Sequence, residues 1–408
     1  MLNSIVIAKY VEEFVNSIIK EKVAVRVSDD KYIIYESNKE IDRFEIFKFY
    51  NQEINQIPNY FNKENFLLKN DLVGTIFFFI SGYWEYINNF PKDEYGRVSA
   101  KYSFLLKYDL LETPIVDILL KNFILKNNFH YKNNEPRYFL THDIDKLYYK
   151  VNIRNLLGDI LKRKDLKYFL KNLKIFIFKT NPFSVEKLMN LNTKYGVNSN
   201  YYFLLENINS TSGYNLSKNL RELSKIREIL NKSRQNIGLH YSFNHLLGDE
   251  LSIRSRELIN YFKIKNLTGR AHYLNFDIKE SFKVYEKGNI KLDCTGGYHD
   301  CIGFRFGTSF PFKPFNFEKN EKYDLIEIPL TIMDCTPFDY MNLTIKEGEK
   351  RILNLMNKII DTNGLMCILW HNSSFWTREW KVKEKVYLKI LEKIQDYKSY
   401  DINGERNV

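Results

Sequence analysis

Two carboxylates close an aromatic run. Arg137-Tyr-Phe-Leu-Thr-His-Asp-Ile-Asp145 sets Asp143 and Asp145 two residues apart at the end of a strand-like segment. Side chains alternate between the faces of a strand, so both carboxylates point to the same side. Like charges at that spacing repel unless a cation lies beside them. A divalent metal meets this need, and it requires further nitrogen or oxygen ligands from elsewhere in the chain.

The candidate ligands recur at the ends of later apolar runs. Ile237-Gly-Leu leads to His240, followed by Ser242, Asn244 and His245. Arg270-Ala-His-Tyr-Leu carries His272, a further run ends near Asp293, and Leu325–Met333 leads to Asp334. Cys367-Ile-Leu-Trp370 leads to His371 and Asn372. One Asp with two His, or with one His and an Asn, is a ligand set for Zn²⁺ or a similar borderline ion, and it leaves a position open for water. Singly, each residue also has a structural reading: a hydrogen-bonded strand-end His, an Asp143 helix cap, an Arg305 in a buried ion pair. Their joint placement points to a metal site.

Those residues need a scaffold with many strand ends on one side. Strand-like runs at Tyr138–Leu140, Tyr201–Leu205, Ile237–Tyr241, Ala271–Leu274, Ile290–Leu292, Leu325–Ile332 and Met366–Trp370 alternate with helical patterns at 184–195, 217–233, 249–263, 277–287, 345–361 and 382–396. Such alternation predicts an α/β fold built on a parallel sheet or barrel, here with about seven β/α units. In such barrels functional residues lie at the C-terminal strand ends. Residues 1–132 read as a separate small mixed α/β domain. It has helical spacing over 4–20, a hairpin of Val23–Val27 with Lys31–Tyr35, and apolar helices over Asp71–Tyr86 and Leu111–Leu125. The polar stretch Lys132–Pro136 suits a linker, and the barrel then occupies 133–408.

The 408 residues are 44% hydrophobic and 27% charged, a globular balance with material for a large core. The net charge of +11 invites anionic partners. No Cys/His finger spacing or RNP-like signature accompanies it, so nucleic acid is set aside. Cys294, Cys301, Cys335 and Cys367 form no C-x-x-C pair, which fits a reducing compartment. The N-terminus has no signal-peptide pattern, and Leu72–Trp84 is too short to span a bilayer, so a cytoplasmic protein without a transmembrane segment is expected. A basic helical insertion at 150–180 interrupts the barrel rhythm. Over 152–178, an apolar face including Leu156, Leu157, Ile160 and Leu161 is set beside Arg154, Lys162, Arg163 and Lys164. It reads either as peripheral membrane contact or, more commonly, as an excursion packed on its own domain. The oligomeric state is open.

Region 137–400 resembles the polysaccharide deacetylase superfamily (carbohydrate esterase family four), and the whole chain resembles a divergent branch with an extra N-terminal domain. Thr141-His-Asp-Ile-Asp145 is similar to the first family motif. The resemblance implies a distorted seven-stranded (β/α) barrel, with Asp143 as catalytic base and Asp145 as metal ligand. His240 matches the first histidine of the second motif. Four residues on stands Asn244, with His245 one later, and on a helix only i+4 returns to the same face. His272, in a His-Tyr-Leu segment similar to one in the divergent branch, is the favoured third ligand, with His245 and Asn244 as alternatives. Arg305 in Gly-Phe-Arg resembles the arginine that orients the base, although Gly307 stands where the family has proline. His371 resembles the general acid. The fourth motif has no clear copy, and Asp334 corresponds to it only by position. Asp334, Trp370 and Tyr298 are the expected substrate-binding residues; Phe375, Trp376 and Trp380 can extend a stacking wall, with ordinary core as the equal alternative.

The implied activity is metal-dependent removal of an acyl (acetyl) group from an N- or O-acylated sugar or glycan precursor, in cell-envelope polysaccharide metabolism. The implied cofactor is a divalent metal, Zn²⁺ first. Two alternatives stand beside it: a lapsed enzyme that binds or scaffolds glycans, and a metal-dependent hydrolase of a non-sugar amide.

Overall fold

The computed structural model describes residues 2–147, 151, 153–162, 164–178, 181, 184–205, 219–233, 235–376 and 380–401. The first unit opens with α1 (Ser4–Ile18), capped by the Asn3 side chain and burying Ile7, Val11, Phe14, Val15 and Ile18 along one stripe. The expected hairpin forms as β1 (Val23–Ser28) and β2 (Lys31–Glu36), and β3 (Lys39–Glu45) extends it into an antiparallel sheet. The helix expected over Asp71–Tyr86 breaks in two, α2 (Leu72–Ile80) and α3 (Tyr83–Ile87), at Gly82 with φ +68°. The next helix, α4 (Ile115–Asn127), starts after Pro114 rather than at Leu111.

The second unit is a curled parallel sheet. Its strands are β4 (Arg137–Ile144), β5 (Asn200–Leu204), β6 (Asn236–Tyr241), β7 (Leu267–Ala271), β8 (Ile290–Asp293), β9 (Ile326–Glu327), β10 (Ile332–Met333), β11 (Leu365–Leu369) and β12 (Lys398–Ser399). The spatial order is β9-β8-β7-β6-β5-β4-β11-β10, with β12 paired to the start of β4 and every pairing parallel. Strands β5, β7 and β11 are buried throughout, as expected where both faces of a parallel sheet are covered.

The expected count of seven strands is corrected here. The single run read over Leu325–Ile332 becomes β9 and β10, which sit at opposite ends of the sheet. Pro329 lies between them and has no N–H to continue a ladder. On either side of it, Ile328 N donates to Asp293 O at 2.9 Å and Thr331 N to Cys367 O at 3.3 Å. One chain segment therefore touches both edges of the sheet, which bends it toward closure. Phe139, Tyr202, Leu292, Ile328, Leu330 and Leu369, drawn from around the curl, form a buried cluster apart from the main core.

The interior is tight around β7. A Cβ on Gly269 would lie 2.3 Å from the Tyr241 ring and 2.5 Å from Leu239 O. Gly269→Ala is expected to destabilise the fold by about 1–3 kcal/mol, read as a lowered urea midpoint. An unchanged midpoint would show that the Tyr241 ring yields freely.

The two units share one core: apolar residues from Ile7 to Ile394 form a single cluster. Asp117 of α4 accepts hydrogen bonds from Thr308 Oγ1 (2.5 Å) and Ser309 N (2.9 Å). The insertion forms α5 (Ile153–Leu161) and α6 (Leu166–Phe178). Among its described apolar side chains Leu156 and Ile175 are buried, while Ile153, Leu157, Leu161, Leu166, Leu170, Ile177 and Phe178 are each more than half exposed. Packing back on its own domain therefore accounts for little of its apolar face. Among the described residues, no helix is long and apolar enough to cross a membrane.

Candidate metal centre

Strand β4 ends at Ile144, between β5 and β11, and brings buried Asp143 and neighbouring Asp145 to one side. The His240 imidazole, near the end of β6, lies against both. Its Nδ1 is 3.7 Å from Asp143 Oδ2, and its Nε2 is 3.3 Å from Asp145 Oδ1. Nδ1–H donates to Arg270 O at 3.0 Å, which orients Nε2 toward Asp145. His272 follows β7, its ring centroid 5.0 Å from that of His240. One ligand atom from each of Asp145, His240 and His272 lies within 4.8 Å of the others.

Each of these three residues presents a buried atom that no hydrogen bond satisfies, the first two facing only each other at 3.3 Å: Asp145 Oδ1, His240 Nε2 and His272 Nδ1. A buried orphan of this kind costs about 1–3 kcal/mol. Three orphans converging from a carboxylate and two imidazoles fit a divalent cation, which would engage all of them and keep a further position open. Electrostatics agree. Burial pushes Asp145 up, but the His240 contact and the charges of His371, His240 and His272 hold it well below the usual carboxylate range. Burial, then the charge of His240, push His272 down to about 3, leaving a neutral imidazole suited to ligation.

The alternatives for the third ligand lie elsewhere. Asn244 is exposed. His245 is buried, with Nδ1 bonded to Ser242 O at 2.9 Å and its ring against Tyr241 and Tyr285. His142 occupies the opposite face of β4, bonded to Trp370 O at 2.7 Å and Asn192 Nδ2 at 2.9 Å; burial pushes it down to about 4.

Arg305 does not reach Asp143, contrary to the sequence expectation. It lies in the loop after β8, paired with Glu85 of α3 through Nε (3.0 Å) and Nη2 (2.6 Å), between the rings of Phe276 and Tyr298. The arginine at Asp143 is Arg270 of β7. Its Nη1 donates to Asp143 Oδ1 at 2.9 Å and to Thr141 Oγ1 at 2.8 Å, and its Nε donates to Cys294 O at 2.9 Å. The sequence expectation did not include it, although a signal existed: Arg270 stands two residues before His272, the spacing that puts residues of an extended run on one side.

The expected substrate-binding residues are also placed otherwise. Asp334 is buried, and both its oxygens are engaged by its own chain. Oδ1 accepts from His371 Nδ1 (2.7 Å) and Cys335 N (2.9 Å); Oδ2 accepts from His371 N (2.9 Å) and Ser374 Oγ. It holds His371 rather than a sugar. Burial favours a neutral His371, yet the charge and hydrogen bond of Asp334 outweigh it and push His371 up to about 10. Asp334, Cys335 and His371 also converge as a candidate ligand cluster. With Asp334 saturated and the Cys335 thiol pushed up by burial, it suits a dyad better than an ion. Trp370 is fully buried against Tyr387. Tyr298 donates its hydroxyl to Glu85 Oε1 at 2.6 Å inside the Arg305 cluster. Phe375 packs on Tyr387, and the side chains of Trp376 and Trp380 fall outside the described ones.

A model of a family of unknown function (DUF7033) matches residues 7–132. No curated protein matches the chain. Among solved structures, a "putative polysaccharide deacetylase from Mycobacterium smegmatis" aligns with a TM-score of 0.41 and 13% identity, over 67% of this chain and 90% of that one. A likeness this distant assigns no role to any residue.

Proposed function

We propose that the chain is a metal-dependent hydrolase that removes an acyl group from an acylated sugar. The observation that carries this reading is the convergence of three orphaned ligand atoms, from Asp145, His240 and His272, beside a carboxylate already held by an arginine. A divalent ion bound there would polarise an acyl carbonyl and lower the pKa of a water ligand. Asp143 then serves as the base. Arg270 fixes its Oδ1, which leaves Oδ2 to accept the proton of the attacking water. His371, an imidazolium held by Asp334, donates a proton to the departing nitrogen or oxygen. The test is acetate release from N- and O-acetylated sugars by metal-loaded protein. Release from none of them, in protein that holds metal stoichiometrically, would overturn the sugar assignment.

The Asp334–His371 dyad makes a pH prediction. A histidine raised by an anion stays protonated until pH exceeds its elevated pKa. Asp334→Asn removes the anion, so His371 loses its proton at lower pH. The basic limb of the kcat profile should move down in pH relative to the parent, and activity at pH 8 should fall. A basic limb that stays in place would exclude His371 as the acid.

A further inference from the structure

We propose that the N-terminal unit builds part of the substrate cleft, its 93–97 turn forming with Phe243, Tyr273 and Tyr340 a wall that binds a glycan of several sugar residues. The inference rests on the sugar reading above and gives the N-terminal unit its role. Tyr273 is 42% exposed, and its ring stacks on that of the candidate ligand His272 at 3.9 Å. Phe243, 39% exposed, meets Tyr273 edge-on at 6.3 Å. From the N-terminal unit, Tyr95 packs on Tyr273 at 4.6 Å. The Arg97 guanidinium then lies 4.7 Å from the Tyr95 ring and 5.5 Å from that of Tyr340, itself 40% exposed. Exposed rings gathered on one surface of a folded protein, here Phe243, Tyr273 and Tyr340 with half-buried Tyr95 between, mark a binding surface. Rings with polar rims suit the apolar faces and hydroxyl edges of sugars. The rings of Phe243, Tyr273, Tyr95 and Tyr340, the last joined through Arg97, offer more than one face for a sugar to stack on.

The wall is built to hold its shape. Asp93 Oδ1 accepts from Tyr95 N (3.0 Å) and Arg97 N (2.9 Å), and Oδ2 accepts from Arg97 Nε (2.8 Å). Gly96 sits at φ +75°, and a Cβ there would lie 2.7 Å from Asn275 Oδ1. Arg97 Nη1 reaches Tyr340 Oη at 3.1 Å. The segment is pinned to the barrel by the Lys92–Asp277 ion pair and by Ser99 Oγ and Ala100 N on Asp300. Within the same wall, Tyr273 (φ +61°) and Leu274 (φ +56°) are consecutive bulky residues in the left-handed region, the kind of strain that persists where surroundings enforce it.

The test compares N-acetylglucosamine with its β-1,4-linked pentamer, with binding read by calorimetry. The parent protein should bind the pentamer more tightly than the monomer. Tyr95→Ala should weaken pentamer binding by about three- to tenfold, with metal content unchanged, and Tyr95→Phe should restore it. Tyr60→Ala, an exposed tyrosine of the same unit whose ring packs on Phe47, serves as control and should match the parent. Equal pentamer affinity in the parent and Tyr95→Ala, or no preference for the pentamer in the parent, would overturn the wall. Pentamer binding by metal-loaded protein that releases acetate from none of the acetylated sugars would support the wall and overturn the deacylase reading.

The exposed insertion carries a second inference independently: we infer that α5 and α6 rest on an anionic lipid surface. Seven apolar side chains stand more than half exposed there, among the exposed cations Arg154, Lys162, Lys164, Lys167 and Lys174. Asp159 is turned inward, where it accepts from Asn172 Nδ2 at 2.7 Å, so the outward charge is positive. A basic surface with an exposed apolar face is complementary to anionic headgroups over acyl chains. Protein should co-sediment with vesicles containing phosphatidylglycerol, and not with pure phosphatidylcholine. Leu161→Glu with Phe178→Glu should abolish this without lowering the melting temperature. Absence of charge-dependent binding, or self-association that the same pair abolishes in place of vesicle binding, would overturn it.

Discussion

Asp145→Ala should yield folded protein that no longer retains a divalent metal through dialysis, where the parent retains one equivalent. Asp145 supplies the anionic member of the three orphaned ligand atoms, and the two imidazoles alone make a weak site. The parent should therefore melt at higher temperature in excess Zn²⁺, because a ligand of the native state stabilises it, while Asp145→Ala should not respond. Loss of the ion's contribution to charge stabilisation, several kcal/mol, corresponds to a fall in kcat/KM on the order of a thousandfold. His245→Ala and Asn244→Ala sharpen the experiment, since the second-motif spacing admitted both as ligands. His245 Nδ1 is bonded to Ser242 and its ring packs on two tyrosines; its Nε2 is unpartnered too, but it does not converge with Asp145, His240 and His272, and Asn244 is exposed, so both variants should keep the metal. Metal retention by Asp145→Ala would remove the centre; metal loss by His245→Ala would relocate it. Because the ligands bind in deprotonated form, affinity should also weaken as pH falls.

The parts of this site that period and strand ends dictate were legible in the sequence. The alternation of strands and helices gave the parallel sheet, and the two-residue period put Asp143 and Asp145 on one side, where His240 now lies against both. What spacing could not give is which distant segments meet. Arg305 and Arg270 have the same side chain, and only the fold shows that the loop carrying Arg305 turns toward Glu85. Asp334 stood at the correct strand end, but whether it faced a ligand or His371 depended on β10 lying beside β11. That adjacency follows from Pro329 dividing one apolar run, a feature that apolar patterning passes over. The Tyr95–Arg97 turn gave no chemical signal, because its partners Tyr273 and Tyr340 lie far along the chain.

Arg270→Met should lower stability by about 3–5 kcal/mol, since removing one partner of a buried ion pair leaves the other charge uncompensated. Arg270 is fully buried, and Asp143 is nearly so. The same variant should reduce kcat strongly at a temperature where it remains folded, because Arg270 orients the carboxylate proposed as base. Arg270→Lys should not rescue it: three directed bonds, to Asp143, Thr141 and Cys294, need the planar fork of a guanidinium. Adding Asp143→Asn to Arg270→Met should recover part of the stability and none of the rate, the signature of two directly coupled groups. Arg305→Met is the decisive comparison. It too breaks a buried pair, with Glu85, and should destabilise to a similar degree. Its folded fraction, however, should keep a kcat near that of the parent, because Arg305 touches no residue of the proposed catalytic set. If Arg305→Met instead abolishes turnover while Arg270→Met spares it, the base is oriented as the sequence motif implied, and the assignment of Arg270 falls.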